Sequence, residues 1–235
     1  MNFAAFGKTF ATAALAIALG ATAGCAASPA AGLSGRTSGP ALTLASTTTA
    51  GAKAAPEAKA DPEKAGPVKT FTFPDGHLSF RYPAGWSVST ADCPTVPGGP
   101  AGCVEATISS KGKAVAFLVS GFYGDGASGP VDRTVFDKAA VPGLAGFDGE
   151  PSFGFFKDSY GDVNDQYFMD VRRADELAAG STASGSGQLV LPNGVGIFRV
   201  YIDSPGFASG VEAKAWMGTA DYAQLKALLM SVRYK

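Results

Sequence analysis

Apolar and polar residues alternate along several short segments after residue 69, a pattern typical of half-buried β-strands. The clearest turn is Asn193-Gly194, which separates the segments 188–191 and 196–202. Both central positions of such a turn need φ > 0, which asparagine and glycine tolerate. Further strands are predicted over 78–82, 86–90, 104–109, 114–123, 151–159 and 166–172, with a turn at Lys111-Gly112. Short turns between these segments favour a mainly antiparallel sheet.

The hydrophobic pattern becomes helical near the C-terminus. A period close to 3.6 predicts an amphipathic helix that packs on the sheet through one stripe, formed by Tyr222, Leu225, Leu228, Leu229 and Val232. A shorter helix over 211–217 is expected before it. A third helix is predicted over 130–140, because Pro130 suits a first helical position, although Thr134 and Val135 weaken it. The predicted fold class is therefore α+β, an antiparallel sheet flanked by helices.

The first 24 residues have the features of a signal peptide. Lys8 precedes an apolar run over 10–19, and small residues precede Cys25. Thr22-Ala23-Gly24-Cys25 resembles a bacterial lipobox, whose cysteine receives a diacylglyceryl group and becomes the new N-terminus. The first lipobox position is usually leucine, so Thr22 departs from the pattern. Ala21-Thr22-Ala23 also suits an ordinary signal peptidase that cuts before Gly24.

The three cysteines favour lipidation. Cys93 and Cys103 flank a Pro/Gly-rich stretch, and their spacing suits a disulfide-closed loop in an oxidising compartment. That pairing leaves Cys25 without a partner cysteine, and attachment to lipid would use its thiol. We therefore predict lipidation at Cys25. The alternative is a secreted protein with a spare thiol.

Composition sets the domain organisation. Residues 25–68 are mostly Ala, Ser, Thr, Gly and Pro without apolar periodicity, which predicts a disordered linker. Residues 69–235 are then one globular domain, whose β-rich character agrees with 31 Gly, 15 Pro and 16 Phe in the chain. The formal net charge of −1 gives no electrostatic basis for binding nucleic acid. No stretch after residue 24 is long and apolar enough to span a bilayer.

Two segments carry a family resemblance. Phe73-Pro74-Asp75-Gly76, followed by Leu78-Ser79-Phe80-Arg81-Tyr82-Pro83-Ala84-Gly85-Trp86, resembles the opening of PsbP-like domains, including the LpqN-like lipoproteins of actinobacteria. The end of the terminal helix, Leu229-Met230-Ser231-Val232-Arg233, is similar too. The resemblance implies an α/β/α sandwich. It also implies a domain that binds proteins, ligands or larger complexes, since such domains are seldom enzymes.

Candidate catalytic residues are few. His77 is the single histidine and lies between a Pro-Asp-Gly turn and a strand. No G-x-S-x-G segment accompanies it. Ser110 and Lys113 fit S-x-x-K, but the Ser-Asp-Asn and Lys-Thr-Gly segments of penicillin-recognising enzymes are lacking. A hydrolase would need these groups buried in a pocket, so we predict no catalytic residues.

Cofactor and metal motifs are equally weak. Residues 124–129 match G-x-G-x-x-G, but an exported chain with neighbouring hairpins favours a plain strand-end loop over a dinucleotide site. Asp158, Asp162, Asn164 and Asp165 form an oxygen-rich turn whose spacing is wrong for an EF-hand. We predict no metal and no cofactor.

Phenylalanines are crowded between residues 147 and 156. Strand alternation directs Phe153 and Phe155 one way and Phe156 the other. Core packing accounts for most of them, but Phe147, Phe153 and Phe156 are also candidates for an exposed apolar ligand groove or partner surface. The Gly/Ser-rich segment 180–187 is either a plain insertion or a mobile lid.

These observations predict a non-enzymatic binding or scaffolding lipoprotein. It would lie at the outer face of the cytoplasmic membrane, anchored by lipid, and bind an envelope protein or an apolar or amphiphilic ligand. Two alternatives stay open at this point, an envelope hydrolase of unknown substrate and a secreted, non-lipidated structural spacer.

Overall fold

The protein is described by a computed structural model that covers residues 66–94, 102–124, 126–161, 165–204 and 206–235. The predicted signal peptide 1–24, Cys25 and the predicted linker up to residue 65 lie outside the described residues. Regular structure begins at Val68, one residue before the predicted start of the globular domain.

Strands dominate the described residues. In chain order they are β1 (Val68–Thr72), β2 (Leu78–Pro83), β3 (Ser87–Asp92), β4 (Val104–Ser110), β5 (Lys113–Phe122), β6 (Pro130–Ala140), β7 (Ser152–Ser159), β8 (Gln166–Arg172), β9 (Gly180–Ala183), β10 (Leu189–Leu191), β11 (Gly194–Val200) and β12 (Arg233–Tyr234). The α-helices are α1 (Gly210–Trp216) and α2 (Ala220–Met230), and short 3-10 turns cover Pro142–Leu144 and Asp175–Leu177.

The strands form two antiparallel sheets. The small sheet has the order β1-β2-β12. In it, Val68 pairs with Pro83 and Thr72 pairs with Ser79. The large sheet has the order β3-β4-β5-β11-β8-β7-β6-β9, with β10 paired to β11. The prediction of a mainly antiparallel sheet is confirmed.

The hairpin turns follow local backbone chemistry. Lys111 and Gly112 both have positive φ, as the predicted β4–β5 turn requires. The β10–β11 hairpin is also present, but Leu191 pairs directly with Gly194, so its turn residues are Pro192 and Asn193. The predicted turn was therefore one residue too late. Proline sets φ for the first turn position, and Gly194 provides the positive φ just after the turn.

One face of the large sheet carries the main core. Both helices begin with side-chain caps, Ser209 for α1 and Thr219 for α2. The α2 helix buries Tyr222, Leu225, Leu228 and Leu229 of the predicted stripe, while Val232 is buried just beyond the end of the helix. It packs against β2 of the small sheet and against β7 and β11 of the large sheet. The helix and the small sheet together cover this face of the large sheet.

The predicted fold class, an α+β antiparallel sheet flanked by helices as in an α/β/α sandwich, is wrong. The described residues are mostly β-structure, with two α-helices that both contribute to the core described above. The predicted helix 130–140 is instead strand β6, which pairs with β7 and β9. β-Branched and aromatic residues such as Val135 and Phe136 favour a strand. The pairing also places Arg133 directly opposite Asp158.

The opposite face of the large sheet is covered differently. Leu177, in the second 3-10 turn, packs over Gly154 so closely that a Cβ on this glycine would meet its side chain at 2.4 Å. The chain that follows β9 continues across this second face, above β7 and β8. This face carries charged side chains that pair with each other, and it therefore does not need a helix to cover it as the core face does.

Candidate functional site

Two arginines are almost completely buried on the second face of the large sheet. Arg133 of β6 and Arg172 of β8 are each 2% exposed. Burial of a guanidinium group is costly unless its charge and its N–H groups are satisfied. The contacts around the two arginines show how the fold satisfies these charges.

Each buried arginine has a buried carboxylate partner. Arg133 donates through Nε and Nη2 to the two oxygens of Asp158, at 2.6 and 2.7 Å. Arg172 donates in the same bidentate way to Asp170, at 2.9 and 2.6 Å. Planar bidentate pairs of this kind are strong and directional. Together they fix both guanidinium groups relative to the sheet.

Phe156 lies beneath both guanidinium groups. The Cζ atoms of Arg133 and Arg172 are each 4.4 Å from the centroid of its ring. The same ring stacks on Phe168 at 5.3 Å. Arginine over an aromatic face is attracted to the ring quadrupole, most strongly where water is excluded. Phe156 therefore forms an aromatic floor under the two ion pairs.

A third arginine is held less tightly. Arg199 of β11 lies opposite Asp170 in the strand register. Its Nε and Nη2 atoms are 3.3 and 3.2 Å from Asp170 Oδ2, an oxygen that also accepts the 2.6 Å hydrogen bond from Arg172. The side chain of Arg199 is 27% exposed, against 2% for Arg172.

The chain after β9 crosses above the arginines. The carbonyl oxygen of Ser184 accepts hydrogen bonds from Nη2 of Arg133 and Nη1 of Arg172, both at 2.8 Å. Gly187 has φ +65°, and a Cβ there would lie 2.6 Å from Nη2 of Arg199. Glycine at this position is what permits the close approach of the backbone. This segment, residues 184–188, is named the glycine-serine loop.

A second glycine-rich segment meets this loop. Ser128 Oγ accepts from the amide of Gly185, and Gly129 donates its amide to Ser184 Oγ at 3.1 Å. A Cβ on Gly126 would lie 2.0 Å from Cβ of Ser186, so the two segments touch. The G-x-G-x-x-G segment 124–129 precedes strand β6 and not a helix. It therefore lacks the helix N-terminus that a dinucleotide site needs.

The two segments and the sheet line a half-open cavity of about 350 Å³, named the arginine cavity. Its wall is formed by Gly126, Ala127, Asp158, Tyr160, Phe168, Arg172, Ser184, Gly185, Ser186, Gln188 and Arg199. Most of these residues present polar groups, and one aromatic ring, that of Phe168, adds an apolar surface. The cavity is therefore suited to a small polar molecule.

Local charges keep the polar groups of the cavity in defined protonation states. Burial lowers the pKa of Arg172, but the charge and hydrogen bonds of Asp170, with further help from Glu176 and Asp158, raise it above its ordinary value overall. Burial raises the pKa of the Tyr160 phenol, and the charge of Asp158 raises it further against the opposing effect of Arg133 and Arg172. The cavity thus presents cationic arginine and a neutral phenol.

The phenylalanines that were candidates for an exposed apolar surface are buried or half-buried. Phe153 is fully buried in the core with Phe155, and Phe156 is fully buried under the arginines. Phe147 is half-buried and packs edge-on against Tyr234 at 5.2 Å. Phe153 and Phe156 therefore form no wall of an open apolar groove within the described residues.

The candidate catalytic residues do not come together in a pocket. The ring of His77 is exposed and stacks on Tyr234 at 5.4 Å. Ser110 and Lys113 face each other across the β4–β5 turn. Lys113 pairs with Asp203, and both side chains are largely exposed. The buried arrangement that the hydrolase hypothesis requires is not formed by these residues.

The oxygen-rich turn forms ion pairs in the residues that can be described. Asp158 is bound by Arg133, while Asp165 accepts from Lys157 Nζ and Ser159 Oγ, each at 2.6 Å. Asp162 and Asn164 lie outside the described residues. Within the described ranges, no group of three or more acidic, histidine or cysteine residues is placed to hold a metal ion.

The predicted disulfide is confirmed. Cys93 and Cys103 are bonded, with their Cα atoms 5.4 Å apart. The amide of Cys93 also donates to the carbonyl of Cys103 at 3.1 Å, so the bridge extends the β3–β4 ladder. No helix of the described residues has both the length and the apolar character needed to cross a bilayer.

The arginine cavity was missed at the sequence level, although a signal for it exists. Asp170 and Arg172 are two apart in a strand, so both point to one face, and they alternate with the apolar Met169 and Val171, which point to the other. Charged residues at alternate positions of a strand normally indicate a solvated face. What the sequence does not provide is the register that brings Asp158 and Arg199 to the same place.

Comparison with known proteins gives no match among protein-family models, curated proteins or solved structures. The resemblance of the segment 73–86 to PsbP-like domains therefore stays a prediction.

Proposed function

We propose that this chain is a lipid-anchored binding protein of the bacterial cell envelope, which holds a small polar ligand in the arginine cavity. One observation carries the proposal: a cavity of about 350 Å³ opens beside a set of buried, fully paired charges under two glycine-rich segments. Its volume is within the range of small-molecule sites, about 300–1,000 Å³. An ion-pair network that only stabilised the fold would not need an adjoining cavity, and neither would a structural spacer.

The polar wall changes the expected ligand. An apolar ligand would need apolar side chains at an open groove, whereas Phe153 and Phe156 are both fully buried. The cavity offers guanidinium, phenol, amide and hydroxyl groups, and one aromatic ring. Such a wall favours a ligand with several hydrogen-bonding groups.

The envelope location is supported by sequence and by the disulfide. Cys25 follows an apolar run and small residues, as in lipoprotein precursors. The Cys93–Cys103 bridge suits an oxidising compartment outside the cytoplasm. We place the folded domain at the outer face of the cytoplasmic membrane, held there by lipid on Cys25.

Mass spectrometry of the chain from membranes tests the anchor. The mature N-terminus is expected to be a diacylglyceryl-modified Cys25, and Cys25→Ser is expected to prevent lipidation of the precursor, because it removes the thiol that receives the diacylglyceryl group. An unmodified N-terminus at Gly24 would contradict the anchor without affecting the cavity.

Native mass spectrometry of the same full-length chain tests ligand binding. The wild type is expected to carry an additional small mass that is lost on unfolding. Ala127 lies exposed at the cavity, so Ala127→Trp should fill it and remove that mass. Ala220→Trp, at an exposed position at the start of α2, is the matched control and should keep it. A wild type without additional mass, or an Ala127→Trp chain that keeps it, would contradict the proposal.

A further inference from the structure

The carboxylates around the arginine cavity already have partners. Glu176 Oε2 accepts from the amide of Gly187 at 3.3 Å and lies 3.8 Å from Nη1 of Arg172. Both oxygens of Asp158 accept from Arg133, and both oxygens of Asp170 accept from Arg172. Their side chains are each 1% exposed. Asp158 lies in the wall of the cavity, but both of its oxygens are directed at Arg133, and those of Asp170 are directed at Arg172. Donors, and not acceptors, dominate what a ligand would meet.

Arg199 has donor capacity to spare. An arginine has five N–H donors, and Arg199 directs Nε and Nη2 at one oxygen of Asp170. Those contacts, at 3.3 and 3.2 Å, are longer than the roughly 2.7–2.9 Å of a strong charge-assisted hydrogen bond. Among the described residues, Nη1 of Arg199 has no hydrogen-bond partner. Its side chain is the most exposed of the three arginines at this site.

The backbone shapes the space next to this arginine. Gly187 approaches Arg199 and Arg172 so closely that a Cβ would meet their Nη2 atoms at 2.6 and 3.2 Å. Phe168 lies on the other side, with its ring centroid 5.6 Å from Cζ of Arg199. Arg199 therefore contacts both a glycine and an aromatic ring, and it lines the cavity together with Tyr160 and Gln188.

From this arrangement we infer that the ligand is a small organic molecule with one carboxylate or phosphate group, and that Arg199 binds that group. This inference rests on the proposed binding function and specifies its ligand class. The planar guanidinium fork matches two oxygens of a carboxylate or phosphate. Arg172 lines the same cavity within its ion pair with Asp170, while Tyr160 and Gln188 contribute a hydroxyl and an amide group for the neutral part of the ligand.

Isothermal titration calorimetry on the full-length acylated chain in non-ionic detergent tests the inference. The probes are sodium acetate and sodium phosphate, titrated at constant ionic strength with sodium chloride, and glucose as a neutral molecule. At least one of the two anions is expected to bind saturably, and the one that binds more tightly assigns the group as carboxylate or phosphate.

Three variants locate the binding. Arg199→Gln is expected to raise the Kd for the anion by about tenfold or more, because a charged bidentate contact is lost. Arg199→Lys keeps the charge but lacks the fork, so it should also bind more weakly than the wild type. Lys113→Gln removes one positive charge at the exposed β4–β5 turn and should leave the Kd unchanged. The Arg172–Asp170 pair stays in all three variants, so their melting temperatures should stay close to that of the wild type.

The outcomes separate the inference from the function on which it rests. Binding of neither anion overturns the inference, and so does an equal Kd for the wild type and both Arg199 variants. If glucose binds, and Ala127→Trp abolishes that binding, the cavity is a binding site but not one for anions. If no probe binds and the native chain carries no additional mass, the proposed binding function fails as well.

Discussion

The ring of Phe156 lies 4.4 Å beneath the guanidinium group of Arg172, in a part of the sheet from which water is excluded. This contact joins an apolar residue that the sequence analysis named as a candidate for an exposed ligand surface with a buried charged residue of the candidate site. The stability of the fold and the geometry of the arginine cavity therefore depend on the same side chain.

Replacing Phe156 should be costly. Phe156→Ala is expected to lower the free energy of unfolding by about 3–5 kcal/mol, because it leaves a buried cavity under two charged groups. Phe156→Leu keeps most of the apolar volume but loses the ring face, so it should lower the free energy of unfolding by less than Phe156→Ala does. Urea denaturation measures both. Phe147→Ala, at a half-buried ring, is the control, and a loss as large as that of Phe156→Ala would contradict the assignment.

Breaking the Arg133–Asp158 pair should also destabilise the fold. Asp158→Asn leaves a buried guanidinium group with an uncompensated charge, which typically costs about 3–5 kcal/mol. Asp203→Asn breaks the exposed pair with Lys113 and should cost less than about 1 kcal/mol. Chemical denaturation of the two variants under identical conditions compares them. Equal stabilities would show that the buried pair does not hold this part of the sheet.

The disulfide should contribute a measurable share of stability. The chain-entropy model gives up to about 3 kcal/mol for a loop of this size, before any change in the native state. Cys93→Ser combined with Cys103→Ser is expected to lower the melting temperature. Adding a reductant should shift the wild type towards the double variant and leave the double variant unchanged. A wild type insensitive to full reduction would contradict the prediction.

Stability at alkaline pH should depend on Tyr222. Burial, with the hydrogen bond to Asp137 and its negative charge, raises the pKa of Tyr222 above that of a free tyrosine. As the pH rises, the tyrosine of the unfolded chain therefore loses its proton first, near pH 10. The contribution of Tyr222 to the free energy of unfolding is complete below about pH 10 and declines above it.

The variant Tyr222→Phe removes this titration. At neutral pH it should be less stable than the wild type by about 1.5–3 kcal/mol, because a hydrogen bond to a charged group is lost. Above about pH 10 the difference in free energy of unfolding between the wild type and Tyr222→Phe should become smaller. Urea unfolding at about pH 8 and about pH 11 tests this, and a difference that stays constant would exclude Tyr222 as the cause.

The parts of the fold that local patterns determine were predictable. The hairpin of β7 and β8, the turn at Lys111-Gly112 and helix α2 each follow from residues close together in sequence. The error at 130–140 arose because Pro130 was given more weight than the β-branched residues behind it. There the long pairing of β6 with β7 decides the structure, and that pairing joins residues up to 27 positions apart, Asp132 and Ser159.

The candidate site was less predictable for a related reason. Its charged residues come from four strands, and each one alone resembles an ordinary surface residue. Arg133 and Asp158 become partners only through the β6–β7 register, and Arg199 and Asp170 only through the β8–β11 register. The glycine-rich segments were noticed, but their role in covering the arginines depends on contacts between Gly126 and Ser186, which are distant in sequence.

The register of the small sheet has a mechanical consequence. Val68, where the chain enters the fold, pairs with Pro83 at the open end of the β1–β2 hairpin. A pulling force at residue 68 therefore breaks the hydrogen bonds of β1 one after another, starting at Val68, and does not load them all at once in shear. Under tension β1 should peel away first, while the large sheet and its arginines stay intact. If the domain is anchored through Cys25 as proposed, detachment of β1 would lengthen the tether before the large sheet and the arginine cavity carry the load.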